Sequence, residues 1–329
     1  METVLSGIRP TGNLHLGNYY GALRNFVKMQ HEYRCFFFVA DWHSLTTYPT
    51  PEDLHGNVKQ VLAEYLAAGI DPEAATLYVQ SDVPEIPQLY LLLNMIAYKG
   101  ELERTTTFKE KIRTQPDNVN AGLLTYPVLM ATDIIIHKAN KVPVGKDQEQ
   151  NLEMTRKFAK RFNTMYNVDC FPLPEPFNFG QDLIKIPGLD GSGKMGKTEH
   201  NGIFLIDEPD VIRKKVMRAV TDAGPTEMNQ AMPEPIRNIF TLLEVVSLKD
   251  TVDHFKEEYA NCKIRYGELK KQLAEDIIKV IAPIREKIKE IHADEAYLTR
   301  VTRMGAEKAR ESASKTLKEV RAIIGHKEL

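Results

Sequence analysis

The spacing of apolar positions in the first half of the chain switches repeatedly between strand and helix periods. Thr3–Ile8 reads as a short strand and Arg9-Pro10-Thr11-Gly12 as a turn. Tyr19, Tyr20, Leu23, Phe26 and Val27 then recur at helical spacing. Cys35–Ala40 is a continuous apolar run of strand length, the pattern of a central parallel strand covered on both faces. Pro51 opens a helix whose apolar stripe is Leu54, Val58, Val61, Leu62, Tyr65 and Leu66, and Gly69 suits its end. Thr76–Gln80 is another strand, followed by a helix around Gln88–Ala97. Leu123–His137 predicts a helix despite Pro127, Val142-Pro143-Val144 a short strand, and Asp147–Tyr166 a long helix. Strands alternating with helices predict an α/β fold with a doubly wound parallel sheet and a ligand site at the strands' C-terminal ends.

From Asp207 onward the strand signals stop. Pro209–Val220, Ile236–Val246, Tyr266–His292 and Ala296–Ile324 carry helical periodicity, which predicts an α/β unit over 1–205 and an all-helical unit over 206–329. The terminal helix is expected to pack back toward the first unit. A length of 329 residues is ample for both cores. With 43% apolar and 27% charged residues, the chain is neither disordered nor collagen-like. The longest uncharged apolar runs, such as Cys35–Ala40 and Leu89–Leu93, are too short to span a bilayer. Met1–Pro10 lacks a basic segment followed by an apolar one, so no export signal is read. Cys35, Cys170 and Cys262 have no paired spacing. That disfavours a disulfide scaffold and a cysteine-based zinc or iron–sulfur site, and fits the cytoplasm.

Gly191-Ser-Gly-Lys-Met-Gly-Lys-Thr198 satisfies the phosphate-loop pattern G-x-x-x-x-G-K-[ST], and Ile203–Pro209 mimics the acidic strand that accompanies it. The context is wrong. A phosphate loop needs a helix directly after it, because the helix N-terminus and the loop amides bind the phosphates together. Here Glu199–Gly202 leads straight into strand-like Ile203–Ile206. We reject that reading, and the lysines require another.

Three segments make sense together. The turn Pro10–Asn18 places Gly17 where a nucleotide could approach the backbone, with His15 and Asn18 offering hydrogen bonds at a helix start. His15 could equally be a cap or a half-buried residue. Lys194-Met195-Gly196-Lys197-Thr198 carries two lysines three apart in a glycine-rich stretch; they could close on a triphosphate or be a solvated loop. Val142-Pro-Val-Gly145-Lys-Asp147-Gln148 sets a carboxylate and an amide where strand meets helix, and Asp147 could serve simply as an N-cap.

Taken in order, these segments resemble the signature motifs of class I aminoacyl-tRNA synthetases. HLGN at 15–18 corresponds to that family's HIGH and KMGKT at 194–198 to its KMSKS. The resemblance narrows to the tryptophanyl-tRNA synthetase family. It rests on SGIRPTGNLHLGNYYGAL at 6–23, DWH at 41–43, GLLTYPVLMATDI at 122–134, VPVGKDQEQNLE at 142–153, AVTD at 219–222 and the terminal GAEKAR helix. It covers nearly the whole chain.

The resemblance implies a Rossmann-type catalytic unit with a C-terminal all-helical tRNA-binding unit, and a homodimer that acts on L-tryptophan, ATP and tRNA(Trp). Mg²⁺ would be held mainly by the ATP phosphates, with no metal ligands from the protein. Lys194, Lys197, His15 and Asn18 would act in catalysis. Arg9, Thr11, Gly12, Gly17, Gly145, Asp147, Met195 and Thr198 would join those four in binding ATP, Asp147 at the ribose. Leu5, His43, Met130, Val142 and Val144 would line the indole slot, Gly7 would also bind tryptophan, Asp133 would read the indole N–H, and Tyr126 and Gln148 would meet the α-amino group. A carboxylate facing no donor in an apolar pocket is costly, so phenylalanine would be penalised.

Three positions depart from the family pattern. Gly196 replaces a serine, Thr198 retains a hydroxyl at the fifth motif position, and Arg9 stands where many relatives carry glutamine. Arg9 could contact the tryptophan carboxylate or the phosphates. A tyrosine-specific synthetase, a small-molecule nucleotidyltransferase and a non-catalytic RNA-binding relative are the competing readings. Asp133, the long helical unit and the retained His15, Lys194 and Lys197 disfavour them in turn. The net charge of −2 conceals a basic surplus in residues 255–329, where Lys263, Arg265, Lys270 and Lys271 are candidate phosphate contacts.

Overall fold

Five parallel strands set the frame of the computed structural model, which describes residues 1–114, 116–117, 119–145, 148–177, 185–197 and 200–326. β1 (Thr3–Ile8) lies at the centre. β2 (Arg34–Val39) and β3 (Thr76–Val79) extend to one side, β4 (Lys141–Val142) and β5 (Glu175–Pro176) to the other. Val4 pairs with Cys35 and with Lys141, and Phe36 with Thr76. The order β3-β2-β1-β4-β5 reverses between β1 and β4, which opens a crevice at their C-terminal ends. Beyond Arg34 every residue of β2 is buried, as a strand covered on both faces requires. This is the doubly wound α/β fold that the periodicity predicts.

The helices in the first half follow local rules with instructive exceptions. α1 (Leu16–Asn18) continues through a π-helical turn at Tyr19–Leu23 into α2 (Arg24–Met29), and α3 (Asp41–Ser44) follows β2. α4 (Pro51–Ala67) begins at Pro51, where the Thr50 hydroxyl accepts the Asp53 N–H at 3.1 Å. Gly69, with φ of +111°, takes the left-handed conformation just past its end. α5 (Glu85–Ile96) was expected. α6 (Lys99–Leu102) and α7 (Thr106–Thr114) were not, because α7 has only Phe108 and Ile112 as apolar residues.

The single helix predicted over 123–137 is two, α8 (Ala121–Leu124) and α9 (Tyr126–Ile136), with the break at Thr125. That break puts Pro127 in the first turn of α9, where its missing N–H costs no hydrogen bond. The strand predicted at 142–144 stops at Val142, since Pro143 cannot donate to a ladder. α10 (Glu149–Tyr166) follows, and its expected start at Asp147 lies outside the described residues. Ile203–Ile206 joins no sheet. One antiparallel bridge pairs Phe204 with His15, and Leu205 N–H donates to Leu14 O at 2.9 Å.

The second half is helical as expected: α11 (Pro209–Met217), α12 (Glu234–Val246), α13 (Lys249–Ala260), α14 (Tyr266–Ala293) and α15 (Glu295–Ile323). α13 is an element the pattern reading missed, although Val252, Phe255 and Tyr259 stand at helical spacing. α14 packs on α4, α11 and α12, and one apolar core runs from Val4 and Leu23 through Leu66 to Ile277 and Ile288. α15 crosses β3, α5 and α9. Its Gly305 meets the sheet backbone so closely that a Cβ would overlap the Leu77 carbonyl oxygen. Lys270, a candidate phosphate contact by sequence, is instead buried and donates to Ala219 O at 2.7 Å. No described helix is long and apolar enough to cross a membrane.

Candidate active site

The C-terminal end of β1 delivers the chain into a tight turn, with Thr11 N–H on Arg9 O at 2.9 Å and Gly12 at φ +97°. His15 then caps α1. Its Nδ1 accepts the Asn18 N–H at 3.3 Å, while Asn18 Oδ1 accepts the His15 N–H at 3.1 Å. His15 is thus a helix cap in this fold. Accepting through Nδ1 puts the ring proton of a neutral imidazole on Nε2. A Cβ at position 17 would stand 2.8 Å from the His15 ring, so Gly17 leaves room for that ring.

Two asparagines hold the described stretch 188–197, Asn238 by donating to Gly191 O and Ser192 O at 3.0 and 3.1 Å and Asn201 by more bonds. Asn201, nearly fully buried, donates to Asp190 Oδ1, Ser192 Oγ and Lys194 O at 3.0–3.1 Å and accepts the Gly196 N–H at 2.9 Å. Met195 is buried, and its N–H reaches Ile186 O at 2.9 Å. This order carries Lys197 across the site, where Nζ donates to Gly12 O at 2.7 Å. Burial pushes the Lys197 ammonium down to about 8, against the pull of Glu64 and with the push of Arg9. Lys194 is exposed, and its side chain makes no hydrogen bond or ion pair among the described residues. Of the two loop lysines, the structure brings only Lys197 to the turn. No described helix follows the loop before Pro209, which agrees with rejecting the phosphate-loop match. Thr198 lies outside the described residues.

At the other end of the crevice, Asp133 on α9 is almost wholly buried. Its Oδ2 stands 2.8 Å from His43 Nε2 and its Oδ1 accepts from Gln80 Nε2 at 2.8 Å. Burial raises the carboxyl pKa, and the His43 and Gln80 bonds oppose that rise. The His43 ring lies 4.4 Å from that of Tyr126, and its buried Nδ1 has no hydrogen-bond partner. Leu5 and Val142 belong to one buried apolar cluster, against which Met130 and Val144 pack. A Cβ on Gly7 would strike the Phe38 ring. Gln148 Oε1 accepts from Asn151 Nδ2 at 2.9 Å, and the Gln148 N–H donates to Gly145 O at 2.9 Å. Asp147 lies outside the described residues.

Between these ends stands a group of cations. Arg9 Nε is buried without a hydrogen-bond partner. The Arg9 charge lowers the pKa values of Lys197, Lys111 and Tyr126, although burial dominates all three shifts, lowering the two lysines and raising the tyrosine. Arg9, Lys111 and Lys197 thus share one positive region suited to a polyanion. Lys111 and Gln80 escaped the sequence reading. Lys111 sits on the polar helix that the periodicity did not reveal, whereas Gln80 carried a usable signal as a polar residue just past a buried strand.

The sequence family described as tRNA synthetases class I (W and Y) matches residues 2–282, and the chain belongs to it. A tryptophan–tRNA ligase of Porphyromonas gingivalis is 67% identical over 325 residues, covering 99% of each chain. One from Clostridium tetani is 41% identical over 98% of this chain and 96% of its own. The crystal structure of tryptophanyl-tRNA synthetase from Campylobacter jejuni complexed with ADP and tryptophan superposes with a TM-score of 0.88. It is 31% identical over 98% of this chain and 99% of that one. Identity of this extent places the chain with the tryptophan–tRNA ligases of the family, enzymes that activate tryptophan and charge tRNA.

Proposed function

We propose that this crevice joins tryptophan to ATP as tryptophanyl-adenylate and then passes the tryptophanyl group to the 3′ end of tRNA(Trp). The observation that carries this reading is the polarity of the site. A sealed carboxylate, Asp133, stands at one end, Lys197 crosses to the Gly12 turn at the other, and Arg9 and Lys111 add positive charge between them. An indole presents only a donor, and a triphosphate presents only negative oxygens.

In the first step a tryptophan carboxylate oxygen attacks the α-phosphorus and pyrophosphate leaves, so positioning and charge stabilisation do the work. Asp133 accepts the indole N–H, in a slot made by Leu5, Gly7, His43, Met130, Val142 and Val144, while Tyr126 and Gln148 receive the α-amino group. The turn at Thr11 and Gly12, with His15, Gly17 and Asn18, receives the nucleotide, and Gly145 and Asp147 the ribose. Lys197 stabilises the departing pyrophosphate, joined by Lys194, Met195 and Thr198 as the loop closes. Arg9 neutralises the carboxylate or the phosphates as they meet.

Mg²⁺ would enter with ATP, held by the phosphate oxygens as its ligands. The cationic region suits a polyphosphate, and the described residues hold no group of three or more His, Cys, Asp or Glu placed to bind a metal. When bound, the ion neutralises charge on the leaving group.

We assign residues 1–205 to catalysis and 206–329 to tRNA binding, and we place the enzyme in the cytoplasm. Exposed Leu91, Met95 and Tyr98 on and beside α5, with Leu45 and Tyr48 after α3, support a homodimer through that apolar face. ATP–pyrophosphate exchange with tryptophan and tyrosine in parallel, followed by charging of tRNA(Trp), tests the reading. Exchange driven by tyrosine alone would overturn it.

A further inference from the structure

α4 carries one acidic residue in a segment that is otherwise apolar. Between Val61 and Ala67 every side chain is buried, and Glu64 is fully enclosed among them. A carboxylate in such a place needs partners. Both Glu64 oxygens stand 3.1 Å from the Leu14 N–H, the backbone amide directly before His15, and Oε1 accepts from Gln60 Nε2 at 3.0 Å. The charge facing it is that of Lys197, whose Nζ rests on Gly12 O two residues before Leu14. The segment from Gly12 to Leu16 is thus held from α4 by Glu64, from the loop by Lys197, and from the far side by Leu14 O and Leu16 N–H bonding to 203–205.

We infer that Glu64 is a positioning residue that couples the two signature motifs: its carboxylate anchors the HLGN segment through Leu14 and supplies the negative charge that holds Lys197 over the nucleotide turn. The inference rests on the assignment of Lys197 to the phosphates of ATP. Glu64 is fully buried beneath the turn and acts through Leu14 and Lys197. Burial raises its pKa to about 7, with Gln60, the Leu14 N–H and Lys197 pulling it down. The charge is therefore gained as pH rises through neutrality. The charged groups in its surroundings are Lys197 on the loop and Arg9, which acts on Lys197 from the end of β1; His15 is the other titratable group of the segment.

Glu64→Gln separates charge from hydrogen bonding, because the amide oxygen still accepts the Leu14 N–H. Three measurements on the full-length enzyme test the coupling. In wild type, kcat/KM for ATP in pyrophosphate exchange should rise across neutral pH, and in Glu64→Gln that rise should vanish, with a loss of roughly fivefold at pH 8. KM for tryptophan should stay within about twofold of wild type, because Asp133 and its slot are untouched. pH-dependent acetylation of Lys197 in the ATP-free enzyme, read by mass spectrometry, should shift its midpoint downward by about half a pH unit or more.

A double-mutant cycle with Lys197→Ala closes the test. Glu64→Gln should cost nothing further in the Lys197→Ala background, whereas additive losses would overturn the coupling. An unchanged acetylation midpoint, or equal losses for ATP and tryptophan, would do the same. Failure of wild type to exchange with tryptophan at all would instead remove the underlying reading. Should Glu64→Gln fold poorly, Gln60→Leu, which removes one of the carboxylate's two donors, should raise the midpoint of the pH rise, and no shift would count against the proposal.

Discussion

Asp133 Oδ2 and His43 Nε2 meet at 2.8 Å across 90 residues of chain, and Gln80 Nε2 closes the other carboxylate oxygen at the same distance. A buried carboxylate with a donor on each oxygen is oriented before any ligand arrives. An ionised Asp133 makes His43 Nε2 a donor and leaves the neutral ring's buried Nδ1 as an acceptor.

Replacing Asp133 by Asn removes the charge and one of the two acceptor oxygens, and the new NH₂ is met only when the neutral His43 ring moves its proton to Nδ1 and accepts through Nε2. Loss of the charged acceptor for the indole N–H costs about 1–3 kcal/mol. We expect kcat/KM for tryptophan to fall roughly ten- to hundredfold, with KM for ATP changed by less than about threefold. Steady-state pyrophosphate exchange measures both, and an unchanged tryptophan dependence would remove Asp133 from recognition.

Lys197→Ala removes the only loop lysine that reaches the Gly12 turn. Its contribution should appear as charge develops on the leaving pyrophosphate, so the activation rate should drop on the order of a hundredfold or more. Tryptophan affinity should move by less than about threefold. Single-turnover adenylate formation and equilibrium titration separate the two, and matched losses would place Lys197 in ground-state binding.

His137 links α9 to the terminal helix: Nε2 meets the Tyr78 hydroxyl at 3.1 Å, Nδ1 meets Ser312 Oγ at 3.2 Å, and the ring stacks on Phe36 at 4.2 Å. Burial holds its pKa down at about 3, from an ordinary 6.5. A depressed folded value means stability that is complete above 6.5 and lost as pH falls toward 3. The loss between about pH 7 and about pH 5 should be roughly 2 kcal/mol. Glu64, with a raised value, acts in the opposite direction over part of that window. The decisive quantity is therefore wild type minus His137→Gln, in which Glu64 cancels. Urea unfolding at the two pH values should show that difference shrink on acidification, and a constant difference would exclude His137 as the source.

Gly305→Ala forces a methyl group onto the Leu77 carbonyl oxygen. Helix α15 must then lift from β3, at an expected loss of about 3 kcal/mol or more. Thermal unfolding reads this directly, and a Tm within about 1 °C of wild type would contradict the backbone contact.

Much of the frame is readable from periodicity because periodicity is local. β2 beyond Arg34 is a continuous apolar run, β1 and β3 are short segments of mainly apolar residues, and α4 and α10 are long enough to show their stripes. The misses share a cause. α7 carries too few apolar residues to declare a face, β5 is a two-residue strand ending in proline, and the break at Thr125 follows from where Pro127 can be tolerated. Ile203–Ile206 has strand composition but meets only the short His15 segment, so no ladder extends from it.

The candidate site divides along the same line. The ordered motifs HLGN, GKDQ and KMGKT resemble those of a known family, and that resemblance, carried on short stretches of chain, names the chemistry. Nothing local could tell that Lys197 crosses to Gly12 while Lys194 stays in solvent, or that Lys270 turns inward to Ala219 O. Nor could it tell that Glu64, an acidic interruption in an apolar stripe, ends beneath Leu14. Those outcomes depend on which distant backbone groups packing leaves unpaired. A pairing across 50 or 185 residues is chosen by the whole core rather than by the spacing of its neighbours.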